Sequence, residues 1–347
     1  MNTCIDSSIR KIGENINNSE SFVGLLEFEK PLAPLTTMHV GGSAELFVEP
    51  FNAESLIETL KIIFAQNTPR VPLTILGGGS NVIAPDKGIK GITISSRKMT
   101  KVTLQNGKII PFKMEAFSEF DSALCVDIFC ESGVLVDFLT DFCAENGILG
   151  LEKFAGLPGT VGGATWMNAR CYEKNFSSII QAVDYIDLSK NNFAVQTYNM
   201  LDSDWDYKKS PFQEKNCFIT GVHLLGKKPN AQEKRQKSIQ DYIKEQNEFY
   251  RNDRKQKGHF KAFSAGSAFK NNRNFGKPSG KLIDEAGLRG KSIGGAQIAP
   301  WHGNFIINTG SATAKDIKSL VEHTQKQILE KTGFLLEPEI IFLDENL

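Results

Sequence analysis

Leu76-Gly77-Gly78-Gly79-Ser80-Asn81 follows directly on the apolar run from Val71 to Leu76. Three successive glycines carry no Cβ, so the backbone can enter φ > 0 and turn several N–H groups toward one anion without steric cost. The client expected for such a loop is a phosphate. Taken alone, the loop reads equally as a tight turn that ends a strand. A second glycine-rich stretch makes the signal more specific: Gly156-Leu157-Pro158-Gly159-Thr160-Val161-Gly162-Gly163, followed by Asn168.

Working outward, Ala53, Leu56, Ile57, Leu60, Ile63 and Phe64 fall on one helical face, which predicts a helix over 52–66 with Asn52 as N-cap. Apolar runs on either side, His39 to Pro50 and Pro72 to Leu76, read as strands. Short β segments are expected at Gly91–Ser95, Lys108–Phe112 and Leu124–Cys130, then a helix from Leu135 to Glu145 closed by Gly147. Further strands are expected at Ile179–Leu188, Phe193–Tyr198 and Cys217–Leu225. Between Gly226 and Gln236 the composition shifts to Lys, Pro, Asn and Gln, and a strongly charged helix follows from Ser238 to about Arg254. A domain boundary is placed there. The chain closes with a helix from Thr313 to Lys331, capped by Thr313 and Asp316 and ended by Gly333, then a strand from Leu335 to Leu343.

The pattern is α+β, and 347 residues suffice for two or three domains. Lys plus Arg and Asp plus Glu number 40 each, so there is no electrostatic case for nucleic acid or an anionic membrane. No stretch approaches the roughly 20 apolar residues of a spanning helix, and the N-terminus is polar with scattered charges. A soluble, cytoplasmic protein is expected. Six cysteines without a CxxC pair, and five histidines none of which lies two to four residues from another, fit reduced thiols and no metal site.

Neither glycine-rich stretch matches a dinucleotide fingerprint opening a helix, since Pro158, Thr160 and Val161 interrupt the second. Two backbone-rich loops in one β-rich region suit a flavin dinucleotide instead, one at its pyrophosphate and one along its ring end.

These residues also carry a resemblance. Thr36-Thr37 through Val40-Gly41-Gly42, Leu76 to Asn81, Gly156 to Asn168 and Tyr207-Lys208-Lys209-Ser210 occur in the order of the UDP-N-acetylenolpyruvoylglucosamine reductase family. So do Gly266-Ser267-Ala268-Phe269-Lys270-Asn271, Leu282 to Gly295, and Leu336-Glu337-Pro338-Glu339. The chain resembles that family from about Pro34 to Leu343, in its shorter, second subtype, because no Tyr-bearing substrate loop interrupts the charged helix.

The resemblance implies an FAD-binding fold of the vanillyl-alcohol-oxidase (PCMH) type in two subdomains, residues 1–70 and 71–228. A C-terminal α+β domain for the UDP-sugar, residues 229–347, would follow. It implies NADPH-dependent reduction of UDP-N-acetylglucosamine enolpyruvate through non-covalent FAD, a step of bacterial peptidoglycan synthesis, in a monomer. Ser267 is the implied proton donor, Glu339 the catalytic carboxylate and Lys208 the catalytic cation, at a position where the family carries Arg. Gly77, Gly78, Gly79, Ser80, Asn81, Gly156, Gly159, Thr160, Gly163 and Asn168 would hold the cofactor, and Tyr207 and Asn271 the substrate.

Lysine supplies charge without the bidentate fork of arginine. Arg170, where the family has a small residue, reads either as a surface arginine or as a supplement to that charge. Cys171 reads as inert, and His39 and His302 as structural. Two other functions stay open on the sequence. One is a binding module that has lost catalysis; the other is an FAD oxidase or dehydrogenase acting on a small hydroxy acid or sugar without NADPH.

Overall fold

The computed structural model describes residues 5–65, 71–105, 125–228 and 238–343. Its first layer is a four-stranded sheet ordered β1-β2-β5-β3, formed by β1 (Gly24–Pro31), β2 (Ser43–Pro50), β3 (Leu73–Leu76) and β5 (Ile89–Ser95). The two-residue β4 (Val82–Ile83) lies outside it. β1 runs antiparallel to β2, while β2 and β3 both run parallel to β5. Helix α2 (Ala53–Phe64) supplies the crossover from β2, with the Asn52 side chain accepting from Ser55 N–H at 2.8 Å as its cap.

The first helix is one that the sequence reading does not predict. α1 (Ser7–Asn17) buries Ile9, Ile12 and Ile16, spaced three and four apart, beneath a sequence that is otherwise polar. A narrow apolar stripe diluted by charge is weak in composition yet sufficient once a sheet face is there to receive it.

The second layer is a five-stranded antiparallel sheet ordered β11-β10-β12-β7-β6. Its strands are β6 (Val102–Gln105), β7 (Cys125–Glu131), β10 (Ile180–Asp187), β11 (Val195–Asn199) and β12 (Cys217–Lys227). Between β7 and β10 lie α3 (Val136–Glu145), α4 (Val161–Trp166) and the small hairpin of β8 (Arg170–Cys171) and β9 (Lys174–Asn175). The strand expected at Lys108–Phe112 lies outside the described residues. One core, with Ile128, Leu139, Phe154, Phe176, Val222 and Leu224, fills the space between this sheet and its helices.

The charged helix α5 (Ile239–Gln256) begins with Ser238 as N-cap and packs on α3. Arg251 reaches Asp137 at 2.8 Å and Asp141 at 2.7 Å, and buried Asn247 donates to Thr140 O at 2.9 Å. The third layer is an antiparallel sheet ordered β13-β16-β15-β14, from β13 (Phe263–Ser267), β14 (Ser292–Ile293), β15 (Ala296–Ile298) and β16 (Phe305–Asn308). It shares a core with α6 (Ser279–Glu285) and α7 (Ala314–Thr332). α7 carries the expected capping box at Thr313 and Asp316 and the left-handed Gly333.

The terminal segment differs from its expectation of one strand over 335–343. Only β17 (Ile341–Phe342) is a strand, parallel to β4. Pro338 itself makes a single bridge to Phe269, flanked by Lys270 N–H to Glu337 O and Glu339 N–H to Ala268 O. Among the described residues no helix is long and apolar enough to cross a membrane.

Candidate active site

The three layers meet at a cavity of about 420 Å³, a usual size for a small-molecule site. Gly77, Gly78, Gly79, Ser80 and Asn81 line one side; Gly159, Thr160 and Gly163 line another. Lys208, Ser267 and Glu339 face the same space. The two glycine-rich loops touch: a Cβ on Gly78 would sit 2.6 Å from Gly159 Cα, and Ser80 Oγ donates to Pro158 O at 3.2 Å. Gly79 is left-handed at φ +68°, where a side chain would also strike Leu35 O. Among the described residues, no group accepts from the backbone N–H of Gly78, Gly79 or Ser80. Such free N–H groups in a nest fit a diphosphate.

Contrary to the expectation from its Pro and β-branched residues, the second glycine-rich stretch does open a helix. Thr160 is the N-cap of α4, its Oγ1 accepting from Gly163 N–H at 3.3 Å. β-Branched Thr at a cap is favourable even where it is poor inside a helix. Gly162 packs on Ser132, where a Cβ would clash at 2.6 Å.

The side of the cavity that holds Lys208, Ser267 and Glu339 is assembled from distant segments. Ser267 ends β13 opposite Phe305 of β16, directly after Gly266 at φ +77°. Asn304 fixes the next residues, accepting from Phe269 N–H at 3.0 Å and donating to Phe269 O at 2.8 Å. Glu339, 8 % exposed, is set beside this strand by its own N–H to Ala268 O. Asn81, at the end of the first glycine loop, donates to Glu339 O at 3.0 Å and accepts from Ile341 N–H at 3.0 Å. The Asn81 side chain therefore ties the glycine loop to the Glu339 main chain, and the Asn81 carbonyl holds Ile341.

Lys208 Nζ donates to Glu339 Oε1, and both groups are about nine-tenths buried. Burial pushes the Glu339 carboxyl above the usual range; the Lys208 ammonium opposes this without cancelling it. Lys208 sits at φ +58° in a turn closed by Asp206 and Lys209.

That turn explains Asn168, which was expected at the cofactor. Fully buried, it donates to Asp206 O at 2.8 Å and Lys209 O at 3.3 Å, and accepts from Ser177 N–H at 3.0 Å. Its polar atoms are used in clamping the Lys208 turn to α4. Gly156 likewise lies off the cavity: its N–H donates to Asp137 at 2.6 Å, and a Cβ would sit 3.0 Å from Arg254 Cδ. Tyr207 and Asn271 are joined by Asn271 N–H to the Tyr207 hydroxyl at 3.3 Å, and Asn271 Oδ1 accepts from Ser279 N–H at 2.9 Å. Neither lines the cavity.

Arg170, ordinarily a surface residue, lines the cavity instead, 5.8 Å over the Tyr207 ring and bonded to Asn175 and Glu173. Arg254 of α5 also lines it and was hidden from sequence reading inside a charged helix. The sequence held a faint signal in Gly156, whose missing Cβ makes room for it. Burial raises the Cys171 thiol, consistent with an inert residue. His39 stacks on Phe263 and His302 on Phe305, each with ring centroids 3.9 Å apart.

The family model for the UDP-N-acetylenolpyruvoylglucosamine reductase C-terminal domain matches residues 258–343, and the FAD binding domain model matches residues 44–190. The UDP-N-acetylenolpyruvoylglucosamine reductase of Treponema denticola is 46 % identical over 92 % of this chain and 94 % of its own length. That of Borreliella burgdorferi is 36 % identical over 95 % of this chain and 98 % of its own. The crystal structure of UDP-N-acetylenolpyruvylglucosamine reductase from Thermus caldophilus, 28 % identical, covers 93 % of this chain and 99 % of its own with a TM-score of 0.66. The α+β architecture with an FAD-binding fold of the vanillyl-alcohol-oxidase type stands with them. The chain belongs to the UDP-N-acetylenolpyruvoylglucosamine reductase family of FAD-dependent oxidoreductases.

Proposed function

We propose that this chain reduces UDP-N-acetylglucosamine enolpyruvate to UDP-N-acetylmuramate with NADPH, in the cytoplasmic synthesis of peptidoglycan precursors. The observation that carries the reading is one cavity holding both glycine-rich loops together with Ser267, Glu339 and Lys208. The residues present fit FAD. The first loop offers unpartnered N–H groups, and Ser132 and Arg254 line the cavity with buried polar atoms that lack a partner.

Hydride relay from NADPH to C3 of the enolpyruvyl group is the chemistry that FAD supplies when bound. The chain provides charge and a proton. Lys208, held by Glu339, would stabilise the negative charge that builds toward the substrate carboxylate, in a site where burial makes that charge interaction stronger than in water. Ser267 Oγ would deliver the proton to C2, completing addition of hydride and proton across the double bond. Its position is set by the β13–β16 pairing and by the left-handed Gly266 rather than by loop packing. Asn168 acts at one remove, by fixing the turn that aims Lys208.

On this reading we divide the chain near residue 96, where the first sheet ends, and near residue 257. The strands β3 and β5 belong to the first sheet, which argues against a cut at residue 70, and α5 packs on α3 of the second unit, which argues against one at 229. An absorbance scan of the purified protein, anaerobic addition of NADPH, then addition of the enolpyruvyl substrate tests the function. Flavin absorbance that NADPH bleaches and the substrate restores is expected; protein that takes up no FAD, or reduced flavin that this substrate does not reoxidise, overturns it.

A further inference from the structure

Two arginines stand three residues apart on α5 and are treated oppositely by the fold. Arg251, 22 % exposed, is paired with Asp137, Asp141 and Glu248. Arg254 is only 5 % exposed, and among the described residues no carboxylate lies within ion-pair distance of it. Its Nε donates to Ala155 O at 3.1 Å, and its Nη2 is buried without a partner. The adjacent acid is committed elsewhere: Asp253 accepts from the Tyr172 hydroxyl at 2.7 Å and pairs with Lys257 at 2.6 Å. The Tyr172 ring, 5.3 Å from the guanidinium, and the neutral Cys171 thiol are its electron-rich neighbours, and neither carries a charge.

A guanidinium cannot shed its proton to escape burial. An unpaired buried charge costs several kcal/mol, and natural cores pair such groups. The missing partner must then be an anion that arrives with a ligand. Arg254 lines the cavity, so a ligand in that cavity can reach it. It leans on the second glycine-rich segment, at Ala155 and at Gly156, whose absent Cβ lets Arg254 Cδ approach. Lys208, by contrast, is already bonded to Glu339 on the catalytic side.

We propose that Arg254 is the counter-charge for a negative charge of the bound flavin cofactor, either its diphosphate or its reduced ring. This rests on the reading of the cavity as an FAD site. It makes Arg254 a cofactor-holding residue in a helix outside both glycine-rich loops.

The test titrates FAD into apoprotein and measures the midpoint potential of the bound flavin for the wild type, Arg254→Met and Arg254→Lys. If the partner is the diphosphate, Arg254→Met binds oxidised FAD at least about tenfold more weakly, as loss of a charge-assisted contact predicts. If it is the reduced ring, oxidised FAD is retained while the potential falls. In both cases Arg254→Lys recovers most of the loss. Should Arg254→Met fail to fold, Arg254→Gln set against Arg254→Lys gives the same comparison. Wild-type affinity and wild-type potential in the charge-removing variant overturn the proposal. A wild-type protein that binds no FAD overturns instead the functional reading beneath it.

Discussion

Two charge clusters in this molecule invite comparison. Lys208 and Glu339 form a buried pair inside the cavity, drawn from segments 131 residues apart. His223 on β12 forms the other, lying between Asp127 of β7 at 3.5 Å and Asp184 of β10 at 3.4 Å, on adjacent strands of the second sheet. The first has one cation to one anion and opens on a cavity. The second has two carboxylates to one imidazole and lines none of the cavity residues. Its carboxylates raise the His223 pKa to about 9 against the opposing effect of burial, which keeps the ring charged at neutral pH. The same elements of charge and burial thus face a cavity in one place and tie adjacent strands together in the other.

The comparison breaks if changes in the cavity fail to separate turnover from folding. The largest effect expected is from Ser267→Ala, next to the first pair. Substrate reduction should fall by about 10² to 10⁴, the usual contribution of a positioned acid, while NADPH still reduces the flavin. Stopped-flow measurement of the two half-reactions checks this.

Lys208→Met should lower substrate-dependent reoxidation by about 10²-fold. It should also destabilise the protein by roughly 3–5 kcal/mol, because Glu339 is left buried without its cation. Urea titration at neutral pH reads the second effect.

For the sheet cluster the order reverses. His223→Ala should cost about 1–3 kcal/mol of stability by leaving buried Asp127 without the imidazole and Asp184 with Thr197 as its donor, with turnover unchanged. The wild type should also show a pH signature. A raised histidine pKa gives stability that is complete below the ordinary value of 6.5 and is lost as pH climbs through about 9. Melting curves between pH 6.5 and 9.5 should show that decline in the wild type and a flatter course in His223→Ala. Smallest of all should be Glu173→Gln, which removes the exposed partner of Arg170 and should change stability by less than about 0.5 kcal/mol.

Much of the architecture was legible because its signals are local. Asn52, Ser238 and Thr313 mark helix starts through side chains that bond to their own turn, Gly333 marks an end through its left-handed backbone, and each lies where the sequence puts it. The triple glycine is equally local in its logic, and it lines the cavity. What resisted reading depends on partners far along the chain. Asn168 resembles a loop residue for a ligand, yet its hydrogen bonds go to residues 206 and 209, about forty positions away. Arg254 is one of many charges on a helix, and only the three-dimensional packing shows that it is buried with its Nη2 unpartnered. Arg170 is drawn inward by the Tyr207 ring, a contact that no periodicity records. The terminal segment divides its pairing between Phe269, which bridges Pro338, and β4, which pairs with β17, a division between two partners that the apolar content of 335–343 does not record.

Asn81 links residues separated by 258 positions through its bond to Glu339. Closing so long a loop carries an entropic cost that only contacts formed together can offset, and contacts of this span form late. During synthesis the glycine loop and the first two sheets can fold while the carboxylate is still unmade. On the proposed reading of the site, the carboxylate joins the cavity only when β17 docks beside β4, after the cofactor-type loop has been made.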